Sequence, residues 1–267
     1  MEHVIIRETS SEMRAIARNA LRGNRKSFAI VMALYYVLTT TLPSVMDYII
    51  PGATITRVDE VTGETLYFSI ISTLYFLLLT GPFSVGLGSF TLYFFRRKEL
   101  QAGHLFDGFE CFLKALSLMF LMTFYTFLWS LLLFIPGIIA GLRYSQAFYI
   151  LADHPEYSAR ECINLSKQYM AGNKAKLFCF SLTFIGWGIL VSVAAAPLAL
   201  LPLTGIPYIL GDFIFSIPYF FFFSYSSVGS IVFYELLSGN LMAKPRLDEQ
   251  NFHNMTQNEI HQNEFDQ

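Results

Sequence analysis

The chain of 267 residues is 54% hydrophobic, contains 27 Phe and has charged side chains at only 14% of its positions. A soluble domain carries charge on roughly a quarter of its residues, so this composition excludes the ordinary soluble class and predicts an integral membrane protein. The net charge of -2 argues against a nucleic-acid partner, because phosphate binding requires a clustered excess of Lys and Arg.

The pattern of reactive side chains gives no sign of an active site. Cys111, Cys162 and Cys179 are widely spaced and form neither a CxxC nor a Cys/His pattern, which predicts free thiols. His104 and His154 stand alone, without an HExxH motif or paired carboxylates. We therefore expect neither an enzyme nor a bound cofactor or metal.

The first 26 residues predict a basic amphipathic helix over residues 9–22. Thr9 and Glu12 form a capping-box pattern at its start, and Gly23 provides a stop at its end. Basic side chains alternate with apolar ones at helical spacing, as is typical of a helix on the inner membrane surface. We expect the lipid bilayer, and anionic headgroups in particular, as its partner.

Six apolar runs fall within the length range for crossing a hydrocarbon core of about 30 Å, the fourth at the lower limit of about 17 residues. They cover about residues 27–49, 66–95, 115–135, 136–152, 177–201 and 208–237. The stretch 115–152 is interpreted as two spans, because a single crossing would place the basic segment 160–176 outside, against the positive-inside bias. Pro136 and Gly137 supply the chemistry of a tight reversal. Pro218 predicts a kink in the last span.

These elements predict an all-α fold, a polytopic membrane helix bundle of about six transmembrane helices. Residues 1–243 form one membrane domain, and the polar residues 244–267 form a disordered cytoplasmic tail. The predicted inner segments hold six, four, four and two basic residues in order, whereas the outer loops hold only Arg57. This distribution places both termini in the cytoplasm.

An internal repeat relates the first helix to a later segment. Residues 9–25 align with residues 158–174 without a gap, with identities at Glu12/Glu161, Gly23/Gly172 and Asn24/Asn173. The alignment predicts a second cytoplasmic interfacial helix at 158–171. Either internal duplication or the convergence of two basic surface helices accounts for the match.

Arg143 falls within the predicted fourth span, where an unpaired charge costs several kcal/mol. We hypothesise an intramembrane ion pair between Arg143 and Asp212, with Asp47 as the second choice of partner. Such a pair would mark either a polar pathway or a structural contact. The remaining alternative is an unpaired arginine whose side chain extends to the membrane surface. The paired glycines 86/88, 137/141 and 186/188 are interpreted as helix-packing positions rather than ligand loops.

The block IPGIIAGLRYSQAFYILADHPEYSARECINLSKQYMAGNK and the segments RAIARNALRGNRKSF, LFDGF and FYELL carry a family resemblance. Over nearly all of residues 8–240 the chain resembles the domain of unknown function 975 family of bacterial integral membrane proteins. The resemblance implies a multi-pass protein of the bacterial plasma membrane, mainly in Gram-positive species. It implies no activity, substrate or catalytic residue.

Two functions are therefore consistent with the sequence. The favoured one is a non-enzymatic membrane component that interacts with lipids or with protein partners, because the repeated feature is a basic amphipathic helix. The alternative is a small transporter or exporter with a polar site near Arg143. A water-filled cavity that reaches Arg143 would favour transport, and a closed bundle with exposed basic helices would favour the first function.

Overall fold

The computed structural model describes residues 4–50, 54–58, 65–200 and 205–241. Its helices are α1 (Ser10–Ala20), α2 (Arg25–Tyr36), α3 (Leu42–Ile49), α4 (Ile70–Arg97), α5 (Phe112–Leu132), α6 (Phe134–Tyr144), α7 (Ala147–Asp153), α8 (Ala159–Tyr169), α9 (Lys174–Ala195), α10 (Pro197–Leu200), α11 (Ile206–Phe215) and α12 (Ile217–Ser238). A π-helical turn, Val37–Thr41, joins α2 to α3, and a 3₁₀ helix, Ala102–Phe109, follows α4.

Five helical segments in the described part of the chain are long and apolar enough to cross a membrane. They are Arg25–Ile49, Ile70–Arg97, Phe112–Leu132, Lys174–Val193 and Ile217–Ser238. Large apolar side chains are exposed along them, among them Phe124, Leu131 and Ile189. Exposed apolar surface of this extent requires a lipid environment or a partner. The chain is a multi-pass membrane protein whose fold is almost wholly helical.

The predicted fourth span, 136–152, is not a single helix. The helix α6 ends at Tyr144, and α7 begins only at Ala147, with a turn at Ser145 and Gln146. The Ser166 hydroxyl of α8 donates to the Arg143 carbonyl at 2.9 Å and accepts from the Gln146 amide at 3.3 Å. A side chain from another helix thus satisfies backbone groups that the break would leave unpaired.

The reversal before α6 also lies earlier than predicted. Leu133 is extended, with φ −163° and ψ 151°, and it separates α5 from α6, whereas Pro136 lies in the first turn of α6. Gly137 does have the predicted packing role: a Cβ there would lie 2.1 Å from Ser130 Oγ and 3.0 Å from Ser130 Cα. A Cβ on Gly141 would meet nothing within 4 Å, so Gly141 is not needed for this contact.

Two other predicted spans have different bounds in the structure. The span 66–95 begins as a helix only at Ile70, because β2 (Thr65–Ser69) pairs antiparallel with β1 (Thr54–Val58). The run 208–237 divides at Ser216 into α11 and α12, so the predicted kink is a complete break, with Pro218 in the first turn of α12. The predicted tail, 244–267, lies outside the described residues.

The core surrounds the C-terminal half of α12, which contacts α1, α2, α4 and α9. Every residue from 227 to 237 is buried except Ser230, which is partly buried. Aromatic rings close the core on two sides, since Phe28 packs on Phe94 with ring centroids 4.7 Å apart and Phe180 packs on Phe233 at 6.3 Å. This half of the bundle is the packed scaffold on which the amphipathic helices lie.

Both amphipathic helices form with the predicted caps. The Thr9 amide donates to the Glu12 carboxylate at 2.7 Å, and the Ser158 amide donates to the Glu161 carboxylate at the same distance. Gly23 and Gly172 follow them with φ of +90° and +73°, which favours glycine at both stops.

The apolar faces of these two helices are covered by the chain itself. Met13 and Ala17 of α1 are fully buried, and α1 contacts α12 and α9. Cys162 and Ile163 of α8 are buried, and α8 contacts α5, α6 and α7. The predicted burial of these faces in the membrane surface is therefore replaced by burial against protein, and their polar faces point outward.

Candidate functional site

A groove of about 500 Å³ lies between α1, α9 and α12. Its lining combines three arginines with an apolar and aromatic wall and contains no acidic residue. The lining residues are Arg14, Arg18, Leu21, Arg25, Trp187, Val191, Pro218, Phe221, Phe222, Ser224 and Tyr225. A volume of this size falls in the range of about 300–1,000 Å³ typical of small-molecule sites.

Helix α1 is fixed in place beside the groove by polar contacts as well as by its buried face. The Tyr225 hydroxyl of α12 donates to the Arg14 carbonyl at 3.3 Å, and the Arg18 guanidinium interacts with the same hydroxyl. At the other end of α1, Lys98 Nζ donates to the Ala20 carbonyl at 3.2 Å. The arginines at positions 14 and 18 therefore face the groove together, four residues apart on one helical face.

The positive charge of the groove is not neutralised by the protein. None of the three lining arginines forms an ion pair with a carboxylate among the described residues. Arg14 Nε donates to the Ser10 carbonyl at 3.3 Å, and Arg18 and Arg25 are exposed. Guanidinium groups in this state can donate several hydrogen bonds to a phosphate or carboxylate.

The opposite wall of the groove is apolar and open to the outside of the bundle. Trp187 of α9 is 59% exposed and Phe221 of α12 is 48% exposed, although both lie within apolar helices. The groove therefore joins a cationic end to an apolar wall. This combination suits an amphiphile that has an anionic group attached to an apolar chain.

A second polar cluster, absent from the sequence predictions, joins α4, α7 and α12. Arg96 binds both carboxylate oxygens of Asp153, at 2.6 and 2.8 Å, and its Nε donates to Glu235 at 2.8 Å. The Tyr234 hydroxyl donates to Asp153 at 3.0 Å. Burial raises the pKa of Asp153, but hydrogen bonding and charge from Arg96 outweigh that effect, so its pKa lies below the ordinary value.

One signal in the sequence pointed to this cluster. Glu235 is an acidic residue inside the last apolar run, and an acid in such a place requires a cation or hydrogen-bond donors. Arg96 to Lys98 form a basic end of the second apolar run, a pattern that by itself is typical of a membrane anchor. The pairing of Arg96 with Glu235 depends on the packing of α4 against α12, which local patterns do not encode.

Comparison with protein families connects the second half of the chain to other proteins. The family model described as Protein of unknown function (DUF975) matches residues 131–240. Residues 131–240 resemble the DUF975 family. The same comparisons find no match among curated proteins and none among solved structures.

The DUF975-like region runs from the end of α5 through α12. It contains the α9 and α12 walls of the groove, with Trp187 and Phe221, and it contains Asp153 and Glu235 of the polar cluster. The groove arginines, on α1 and at the start of α2, precede it. The predicted resemblance is thus confirmed for residues 131–240, and the match does not extend over the remainder of the predicted range.

The structure does not bring together the predicted pair of Arg143 and Asp212. Arg143 is exposed in the last turn of α6, where α8 contacts the chain, and no carboxylate of the described residues forms an ion pair with it. Asp212 instead accepts a hydrogen bond from the Tyr36 hydroxyl, and Asp47 accepts one from Ser72. Because α6 ends at Tyr144, Arg143 lies next to a helix terminus.

Proposed function

We propose that the protein is a non-enzymatic component of the bacterial plasma membrane that binds anionic lipid headgroups through the basic faces of α1 and α8. In this proposal both helices and both chain termini lie on the cytoplasmic side, so α6 and α7 together form the return leg after α5. The contact of Lys114, at the start of α5, with the Pro155 carbonyl at 2.6 Å supports this return. The observation that carries it is the burial of the apolar faces of both helices against the chain itself. What α1 presents outward is mainly positive charge, and α8 presents Arg160 beside the capping Glu161.

The basic side chains of α1 and its junction with α2 support the proposal most strongly. Arg18, Arg22, Arg25 and Lys26 are all exposed, and none of them forms an ion pair within the described ranges. Near a negatively charged leaflet each such residue contributes about 1 kcal/mol of attraction. Four of them at one helix junction favour an anionic surface over a neutral one.

Helix α8 presents a smaller basic surface at the corresponding place in the repeat. Arg160 is exposed, whereas Lys167 is held by Asn164 at 3.2 Å and lies over the rings of Tyr125 and Tyr144. Cation–π contacts of this kind fix the ammonium group without neutralising it. We therefore assign α8 a supporting role and α1 the main one.

The transporter alternative loses one of its supports, a buried Arg143. In the structure Arg143 is exposed at the end of α6. Asp212 and Asp47, which would have balanced that charge, accept hydrogen bonds from hydroxyl groups instead. The groove arginines lie on α1 and at the start of α2, and they form the cationic site that the structure offers.

The test is the composition of lipid that remains bound after purification in a mild detergent. We expect the wild type to be enriched in phosphatidylglycerol and cardiolipin over phosphatidylethanolamine, relative to the membrane from which it came. Arg18→Gln/Arg22→Gln should lose most of that enrichment. The control Arg57→Gln/Arg143→Gln removes two positive charges outside both helices and should retain the enrichment in anionic lipid. A wild type with the lipid composition of the bulk membrane would overturn the proposal.

A further inference from the structure

We infer that the groove between α1, α9 and α12 holds one anionic phospholipid, with its phosphate at Arg14, Arg18 and Arg25 and an acyl chain along Trp187 and Phe221. This inference rests on the proposed function and narrows it from a basic surface to one site of defined composition. The lining of the cavity is cationic on α1 and at the first residue of α2, and mainly apolar on α9 and α12.

The charge of the lining selects the kind of headgroup. Three arginines face the groove, the lining contains no acid, and no ion pair neutralises these arginines within the described residues. A phosphodiester with no positive group nearby offers oxygens that guanidinium groups bind in pairs. A zwitterionic headgroup brings its own cation toward the arginines and is disfavoured.

The apolar wall decides between a lipid and a free anion. Trp187, Pro218 and Phe221 line the same cavity as the arginines, and they belong to helices that are apolar enough to cross a membrane. Inorganic phosphate would fill only the cationic end. An acyl chain attached to the phosphate would also cover the apolar wall, so a phospholipid matches the whole lining.

The two halves of the site contribute differently to selectivity. Lipid chains outside the groove are as apolar as its wall, so exchanging one chain for another gains little free energy. The headgroup contacts, in contrast, exist only in the groove. We therefore expect strong discrimination by headgroup charge and weak discrimination by chain length.

Trp187 is a natural reporter for this site, because the chain contains only two Trp residues. The variant Trp129→Phe leaves Trp187 as the single fluorophore. It is reconstituted in phosphatidylcholine bilayers that contain a small fraction of phosphatidylglycerol with brominated acyl chains, which quench Trp on contact. Quenching by brominated phosphatidylglycerol should reach half its maximum at a mole fraction about tenfold lower than quenching by brominated phosphatidylcholine.

Three variants localise the effect to the groove. In the Trp129→Phe background, Arg14→Gln/Arg18→Gln should abolish most of the preference, because each arginine contributes about fivefold near an anionic group. Arg143→Gln, an exposed position at the end of α6 outside both basic helices, should leave the preference unchanged. The reverse reporter, Trp187→Phe, retains only Trp129 in α5 and should show equal quenching by the two lipids. Circular dichroism and elution volume establish that each variant is folded.

The results of these experiments test the phospholipid site in the groove separately from the proposed binding of anionic lipid by the whole protein. Equal quenching of Trp187 by the two brominated lipids would overturn the groove assignment, and retained anionic lipid after purification would then leave the proposed function intact. If the purified wild type retains no anionic lipid, the proposed function fails first. Excess inorganic phosphate should not relieve the quenching, and relief would identify a phosphate site rather than a phospholipid site.

Discussion

Arg96 donates from Nε to Oε1 of Glu235 at 2.8 Å, and this contact joins the last turn of α4 to the buried half of α12. The Glu235 side chain is only 3% exposed. The remaining guanidinium nitrogens of Arg96 bind Asp153 at the end of α7. One arginine therefore connects three helices from distant parts of the chain.

Replacing Arg96 by Ala should lower the free energy of unfolding by about 3–5 kcal/mol, because it leaves a buried carboxylate without its cation. Arg96→Lys should recover only part of this loss, since an ammonium group cannot bind Asp153 through two parallel hydrogen bonds. Thermal unfolding in detergent measures both. The control is Arg97→Ala, which removes an exposed guanidinium that lies 5.4 Å from the Tyr93 ring centre. An equal loss of unfolding free energy in Arg96→Ala and Arg97→Ala would contradict a stabilising role for the contacts of Arg96 with Asp153 and Glu235.

The polar cluster also predicts a pH dependence of stability. The pKa of Asp153 in the folded protein lies below its ordinary value of 3.8, so the ionised carboxylate stabilises the fold above about pH 4. That contribution is lost as the pH falls through the folded-state pKa. The difference in unfolding temperature between the wild type and Asp153→Asn should be largest near pH 7 and shrink below pH 4. A difference that grows toward acid pH would be inconsistent with the Arg96 contact.

Features encoded within a few residues were predictable from the sequence. The caps of α1 and α8 are formed by side chains three positions apart, Thr9 with Glu12 and Ser158 with Glu161, and the structure confirms both. The apolar runs were predictable for the same reason, because length and composition suffice to identify a candidate span. The helix breaks at Ser145 and Ser216 are harder to predict from the sequence, because an apolar helix can either continue or stop at these positions.

Features that depend on distant packing were not predictable. The break after α6 is stabilised by Ser166, which reaches back to Arg143 across 23 positions. The basic faces of α1 and α8 were predicted, but their apolar faces pack on protein rather than on lipid, because α12 and α5 offer complementary surfaces. The hairpin of β1 and β2 is not predicted by the sequence, because strands of five residues are too short to show a clear alternation of apolar and polar residues.

Asn173 offers a test of how the N-terminal segment is held. It is fully buried, accepts from the Ile6 amide at 2.9 Å and donates to the Val4 carbonyl at 2.8 Å. Asn173→Ala should increase hydrogen exchange at the Ile6 amide by about tenfold or more, because the amide loses its acceptor. The repeat supplies the control: Asn24 makes no capping hydrogen bond, so Asn24→Ala should leave that exchange rate unchanged.

Gly86 tests the contact between α4 and the 3₁₀ helix Ala102–Phe109. A Cβ at this position would lie 1.9 Å from the Leu105 carbonyl oxygen and 2.5 Å from its carbon, and backbone atoms cannot rotate away. Gly86→Ala should therefore destabilise the protein by at least about 1–3 kcal/mol. Gly186→Ala, where a Cβ meets nothing within 4 Å, should change stability by less than about 0.5 kcal/mol. Thermal unfolding of both variants under one condition is the measurement, and similar stabilities would refute the close contact.

The central claim is that α1 packs its apolar face on the bundle and directs its arginines at one anionic phospholipid. The most direct measurement is an electron cryo-microscopy structure in a nanodisc that contains phosphatidylglycerol, with a bound antibody fragment to aid alignment. The account predicts lipid density in the groove, with the phosphate against Arg14, Arg18 and Arg25 and a chain along Trp187. A structure in which α1 leaves α12 and buries Met13 and Ala17 in the bilayer would contradict it.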